Sequence, residues 1–195
     1  MTETEICNLA MIHLGTKTIS NYATDQTENA RLLRIVFESS VNKVLEDHNW
    51  NFATQIEALA EIDQTIPGYD YVYAVPSDCL YIQKILDTEY SDTVYEYEVI
   101  RIESLNATVI LTDLEDAYIK YTSKIFDYGL LNSNFINALS YLLAHTVAMP
   151  LTGDANKQIS MLQFYERAIS QAKIKNSQQQ YRELSRTSDI LDSRG

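Results

Sequence analysis

The sequence predicts a mainly α protein: an antiparallel helical bundle with an inserted small antiparallel β module and an extended C-terminal arm. Three observations carry this expectation. Apolar residues recur at helical spacing near both ends of the chain, the pattern turns to period two over residues 67–124, and the chain becomes polar beyond Lys175.

Thr2 and Glu5 read as a capping box, and Ile6, Leu9, Ala10, His13 and Leu14 mark a short first helix that stops at Gly15. Asp25 or Thr27 caps a second helix, with Ala30, Leu33, Phe37, Val41, Val44 and His48 on one stripe. Arg31, Arg34, Glu38 and Lys43 largely face away from it. The helix ends at an aromatic corner, His48-Asn49-Trp50-Asn51-Phe52-Ala53, which holds the only tryptophan. Trp50 and Phe52 are expected as core aromatics.

In the middle of the chain Tyr95, Tyr97 and Val99 alternate with Glu96 and Glu98, and Ala107, Val109 and Leu111 follow at period two. Ala117, Ile119 and Tyr121 then alternate with Tyr118 and Lys120. Nine of the 14 tyrosines lie within residues 69–121, and tyrosine suits half-buried pleated surfaces. A small sheet of this kind is expected to lean on the helices. Pro76, with Asp78 close behind it, is expected to restrain the approach to a strand.

Helical spacing resumes with Phe135, Leu139, Leu142, Leu143 and Val147 and is expected to stop at Met149-Pro150, because proline lacks an N–H and restricts the residue before it. Beyond the Thr152-Gly153-Asp154 turn, Ile159, Leu162, Tyr165, Ala168, Ile169 and Ala172 mark a fourth helix that packs antiparallel on the third. The expected organisation is therefore a bundle from residues 1–60 and 125–175, a β module at 61–124 and an arm at 176–195.

A chain of 195 residues with 46% hydrophobic content is globular. Its net charge of −12 is uneven: residues 61–118 hold 13 acids against Lys84 and Arg101, a net −11. Residues 167–194 hold six basic residues against three acids, a net +3. Such a division suits a solvated acidic face with a basic tail, or self-association through opposite patches. Tight DNA binding is disfavoured, although an acidic wall lowers friction on DNA that must pass without sticking. Cys7 and Cys79 form no paired motif and suit a reducing cytoplasm. The acidic N-terminus does not read as a secretory signal. The apolar run at 138–151 is shorter than the roughly 20 residues of a membrane span, so no membrane is expected as a partner.

No catalytic group, metal or cofactor is expected. His13, His48 and His145 lack metal-ligand spacing, and neither cysteine nor any serine stands in a nucleophile motif. The alternative is a glycan hydrolase using paired carboxylates such as Asp92/Glu96 or Glu115/Asp116, since that chemistry needs two carboxyl groups about 5–10 Å apart. Among 13 acids such pairs arise by coincidence.

Several motifs in order resemble the head-to-tail adaptor family of tailed phages, also called tail tubular protein A. They are Ile6-Cys7-Asn8-Leu9-Ala10 with Leu14-Gly15, Asn29-Ala30, the Trp50 corner, Tyr73-Ala74-Val75-Pro76-Ser77-Asp78-Cys79, and Leu143 to Asp154 with its Pro150. Trp50, Phe52, Pro76, Asp78 and Pro150 are structural on this reading. The resemblance implies a non-enzymatic subunit of a ring, usually twelve copies, between the portal protein and the tail nozzle, with the genome passing through it. The chain would then be made in the bacterial host cytoplasm and reside in the virion. Arg182, Leu184, Arg186, Ile190 and Leu191 are the expected contacts to portal or a neighbouring subunit. Glu96, Glu98 and Glu103 are expected to face the channel or the tail.

Overall fold

The computed structural model describes the backbone of residues 1–91 and 93–192, and the side chains of residues 1–91 and 93–175. With 47% helix, 22% strand and two three-stranded antiparallel sheets, the protein is α+β, which corrects the mainly α bundle that the sequence predicts. The chain divides into a helical unit, Met1–His48 with Tyr128–Gly195, and a β unit, Asn49–Asp127.

The helical unit contains α1 (Glu3–Leu14), α2 (Glu28–Asp47), α3 (Ser133–Thr152) and α4 (Ala155–Asp192). The capping box at α1 forms as its spacing predicts: Thr2 N–H donates to the Glu5 carboxylate at 2.7 Å, and Glu5 N–H donates to Thr2 Oγ1 at 3.3 Å. Gly15, at φ 68°, ends the helix in the left-handed conformation that glycine adopts without a Cβ clash. Thr27 caps α2 and Asn132 caps α3. The 16–27 connection is pinned by side chains. Asn8 Nδ2 donates to Ile19 O at 3.0 Å, and Ile19 N–H donates to Asn8 Oδ1 at 2.8 Å. Asn29 donates to Lys17 O, and Arg34 Nη1 donates to the carbonyls of Tyr22 and Asp25.

Helix α3 packs against α1, α2 and α4. Its buried residues, from Phe135 through Leu139, Leu143 and Ala144 to Ala148, surround much of its circumference, as a central helix requires. By length and composition α3 is apolar enough to cross a membrane, and its packing on three other helices accounts for that apolarity. Pro150 lies inside α3, which runs on to Thr152 before Gly153 caps it; this corrects the stop expected at Met149-Pro150. Only the final turn is affected. Pro150 removes the one bond that its N–H would make to Thr146 O, while Thr152 Oγ1 donates to Ala148 O at 2.7 Å and Gly153 N–H to Met149 O at 3.0 Å, which holds the end of the helix together.

Helix α4 has 38 residues, about 57 Å at 1.5 Å per residue. Met161, Tyr165, Ile169 and Ala172 form its buried stripe. Lys175 Nζ reaches Asn134 Oδ1 at 3.2 Å, so this point on α4 meets the first turn of α3. Residues 176–192, expected as an extended arm, are the helical continuation of α4.

In the β unit, β1 (Thr54–Ala58), β6 (Tyr118–Ser123) and β3 (Cys79–Leu86) make one sheet in the order β1-β6-β3. The other contains β2 (Tyr71–Ala74), β5 (Ala107–Thr112) and β4 (Glu98–Ile102), in the order β2-β5-β4. Tyr73 and Ile110 from the second sheet pack with Ile85, Ile119 and Tyr121 from the first. Each sheet thus covers the apolar face of the other, where the sequence reading expected one small sheet leaning on helices. A second cluster, Val72, Val109 and Leu111, lies on the opposite face of β2-β5-β4 under Ile62, Ile66 and Tyr69. Strand β5 is buried on both faces, which explains its uninterrupted Val109-Ile110-Leu111 run. The covering segment turns at Pro67-Gly68, where Gly68 at φ 99° and the Tyr69 N–H to Ile66 O bond give a type II turn.

Candidate functional site

The residues of the aromatic corner fold locally. Trp50, 2% exposed, precedes a 3-10 turn at Asn51–Ala53, and its carbonyl accepts from Ala53 N–H and Thr54 Oγ1. Its ring lies 6.1 Å from Phe52, and Phe52 meets Phe126 edge-on at 5.4 Å. Trp50 and Phe52 thus bracket the N-terminal end of the β unit, with Phe126 coming from its C-terminal end.

Asp78 is a hub. Its carboxylate accepts from Ser123 Oγ at 2.6 Å and from the Tyr121 hydroxyl at 3.2 Å, and its carbonyl accepts from Lys124 N–H at 2.9 Å. Pro76 O accepts from Cys79 N–H at 3.0 Å, which closes the turn into β3. Burial, with the Asp78 charge next in importance, raises the Tyr121 hydroxyl pKa and pushes the Cys79 thiol up to about 11. Cys7 is fully buried, and its thiol is pushed up to about 12. Neither is poised as a thiolate nucleophile.

The expected acidic residues divide into two groups. Glu98 accepts from the Tyr69 hydroxyl at 2.9 Å, and that hydrogen bond, burial, and the charges of Glu98, Asp113 and Glu96 raise the Tyr69 pKa. Glu96 and Glu98 therefore share one acidic neighbourhood. Glu103 opens the 3-10 turn after β4, where Asn106 takes φ 49° and accepts from Arg101 Nη2 at 2.6 Å. All three glutamates are exposed. The side chains of Arg182, Leu184, Arg186, Ile190 and Leu191 lie outside the described residues.

A further acidic neighbourhood joins the Glu115/Asp116 pair to Glu61 and Asp70, a grouping that the sequence does not show. The Tyr73 hydroxyl donates to Leu114 O at 2.9 Å and accepts from Ala117 N–H at 3.4 Å, and Asp70 N–H donates to Asp113 Oδ1 at 3.1 Å. These bonds close the 113–117 turn onto the start of β2, where Glu61 bridges to Tyr73. Glu61, Asp70, Glu115 and Asp116 gather there, all exposed. Equally unforeseen is the pairing of Lys84 with Lys120 as direct cross-strand partners on β3 and β6. It rests on a register shift in β3 that no local sequence pattern announces.

In the helical unit His13 stacks on Tyr141 at 4.4 Å, and Tyr141 meets Phe164 at 5.4 Å beneath the Arg167 guanidinium. His13 Nε2 lies 3.1 Å from Ser140 Oγ, and burial lowers its pKa. His145 Nδ1 bonds with Gln158 O at 2.9 Å, while His48 caps the C-terminus of α2. Among the described residues no group of three or more His, Cys, Asp or Glu side chains could hold a metal ion. Among them too, the carboxyl groups shifted from their ordinary range, Glu5, Asp25, Asp47 and Asp87, are all shifted down. The arrangement offers charged, hydrogen-bonding surfaces on a well-pinned framework. No family model matches the chain, and no curated protein matches it.

Proposed function

We propose that the chain is a structural subunit of a phage head-to-tail connector ring, joining portal protein to tail nozzle around the DNA channel. The observation that carries this reading is the order of elements: the two ends of the chain build one helical unit, and the β unit is inserted between α2 and α3. That order follows the order of motifs on which the resemblance rests. The hydrogen bonds of Asn8, Asn29 and Asp78 give those motif residues framework roles, as a structural protein requires. The basic C-terminal stretch of α4 is the portal-docking or neighbour-docking arm, through Arg182, Leu184, Arg186, Ile190 and Leu191. Glu96, Glu98 and Glu103 face the channel or the tail, where their charge repels phosphate. The ring holds twelve copies, and the protein works without enzymatic activity in the virion.

The test is the mass of the purified chain by light scattering, alone and with the portal protein encoded by the same genome. A ring-sized complex is expected with portal, and deletion of residues after Asn176 is expected to abolish it. Monomers in both conditions would overturn the reading. Replacing Glu96, Glu98 and Glu103 with glutamine is expected to impair tail attachment or DNA delivery; unaltered infectivity would remove their proposed role.

A further inference from the structure

We propose that Lys84 and Lys120, on the outer face of the β1-β6-β3 sheet, dock the carboxylates of Glu61, Asp70, Glu115 and Asp116 on a second copy of the chain. This rests on the ring reading above and supplies a contact between its subunits.

The lysine pair is built by the register of the sheet. Ile82 pairs with Tyr121, but Lys84, two residues on, pairs with Lys120, one residue back, so Gln83 is an extra residue in β3. The Gln83 amide donates to Thr54 Oγ1 at 3.2 Å and Thr122 Oγ1 at 3.0 Å, which fixes the bulge. The shift lets Ile85 join Ile119 and Tyr121 in the core, and it sets two half-buried lysines opposite each other on the other face of the sheet. Cross-strand partners stand about 5 Å apart at Cβ, where like charges destabilise the sheet. Neither lysine has a salt bridge among the described residues. Ile56, the partner of Lys120 on the other side, is 39% exposed, so an approaching surface finds an apolar contact beside the two charges.

The complementary surface lies on the same unit. The four carboxylates are exposed and held together by the closure of the 113–117 turn on β2, and none has a salt bridge among the described residues. Asp116 sits outside β6 in the left-handed turn before it, and no ion pair joins it to Lys120 among the described residues. Within one chain the two patches leave each other uncompensated, whereas a head-to-tail contact between copies uses both. Such a contact is heterologous, the kind that closes into a ring when its rotation permits.

The test compares three full-length chains by sedimentation equilibrium at about 50 mM and about 500 mM salt: the unmodified protein, Lys84→Glu with Lys120→Glu, and Glu115→Lys with Asp116→Lys. The unmodified chain is expected to self-associate and to do so less at high salt. Each double variant alone should lose on the order of tenfold or more in association, because like charges now meet. Mixing the two variants should restore it, since each presents the patch that the other needs. The Lys→Glu variant keeps a like-charge pair and should fold; a neutral Lys84→Gln with Lys120→Gln chain repeats the loss if it does not. An unmodified chain that stays monomeric, association unchanged in either variant, or a mixture that fails to recover overturns the proposal. Loss of DNA retention in the lysine variants without a change of mass also overturns it, in favour of phosphate. Self-association that follows the swap but ignores portal leaves this contact standing and removes the connector reading. A ring on portal that is indifferent to both variants does the reverse.

Discussion

The Tyr165 hydroxyl donates to the Asp47 carboxylate at 2.5 Å, joining the first third of α4 to the last turn of α2. A carboxylate at a helix C-terminus opposes the helix dipole, so Asp47 needs compensating donors. Lys43, one turn earlier, supplies the second at 2.7 Å. Burial alone would raise the Asp47 pKa; the hydrogen bonds from Lys43 and Tyr165 outweigh it and hold the group below its ordinary range.

Tyr165→Phe keeps the ring in its buried place and removes only the hydroxyl. A hydrogen bond to a charged partner contributes about 1.5–3 kcal/mol, and partial exposure of Asp47 sets the expectation toward the lower end. The contribution of a carboxylate with a depressed folded pKa is present above its unfolded pKa of about 3.9 and is lost as pH falls through the folded value. Urea unfolding at pH 7 should therefore show the full loss, and unfolding below pH 3 a much smaller one. An equal loss at both pH values would mean that the hydroxyl does not act through the carboxylate.

His13 gives a pH response of the opposite protonation. Burial lowers its pKa in the folded protein, so protonation favours the unfolded chain. Stability is expected to be full above the unfolded pKa of about 6.5 and to decline as pH falls below it. His48, also lowered by burial and then by the charge of Lys173, contributes in the same sense. His13→Gln should flatten part of the decline between pH 7 and pH 5 in thermal melts, and an unchanged slope would assign all of it elsewhere.

Asn8 ties α1 to the 16–27 connection through both polar atoms of its amide. Asn8→Ala leaves the N–H and C=O of Ile19, a residue 4% exposed, without those partners. Each unsatisfied buried group costs about 1–3 kcal/mol, so this variant should be among the more destabilised surface-to-core changes in the helical unit. Asn8→Asp retains only the acceptor and should fall between. Equal stability of all three chains by chemical denaturation would show that water replaces the amide.

What was legible in the sequence was local. Thr2 with Glu5, Gly15 and Thr27 could be read because a cap depends on residues three or four apart. Strand β1 could not, because Thr54-Gln55-Ile56-Glu57-Ala58 has four exposed residues and little alternation; it is a strand through pairing with β6 more than sixty residues later. The two-sheet arrangement was hidden for the same reason, as Tyr73 meets Tyr121 only after the chain has crossed between sheets. The β unit runs over 49–127, whereas the period-two pattern marks a module at 61–124. Pro150 reads as a helix stop in the sequence, while in the final turn of α3 it removes little. The motif around Asp78 marks it as structural without showing its partners, because Tyr121 and Ser123 lie over forty residues away. The Lys84 and Lys120 register depends on a bulge that no local pattern announces.

The two thiols provide the last test, because they differ in access while sharing a raised pKa. At pH 8 an ordinary cysteine of pKa about 8.5 is partly thiolate, whereas a thiol raised to about 11 is ionised some hundredfold less. Cys79 is half-buried, so its alkylation by iodoacetamide should be slow for want of thiolate and should rise about tenfold per pH unit. Cys7, fully buried with its thiol pushed up to about 12, should react only as the helical unit opens. The charge of Asp78 is the second cause of the Cys79 shift, so Asp78→Asn should speed alkylation of Cys79 and leave Cys7 unchanged. Peptide mapping after timed alkylation separates the two sites. Faster labelling at both would mean that Asp78→Asn has loosened the whole protein, and unchanged labelling at Cys79 would show that the carboxylate does not set the thiol.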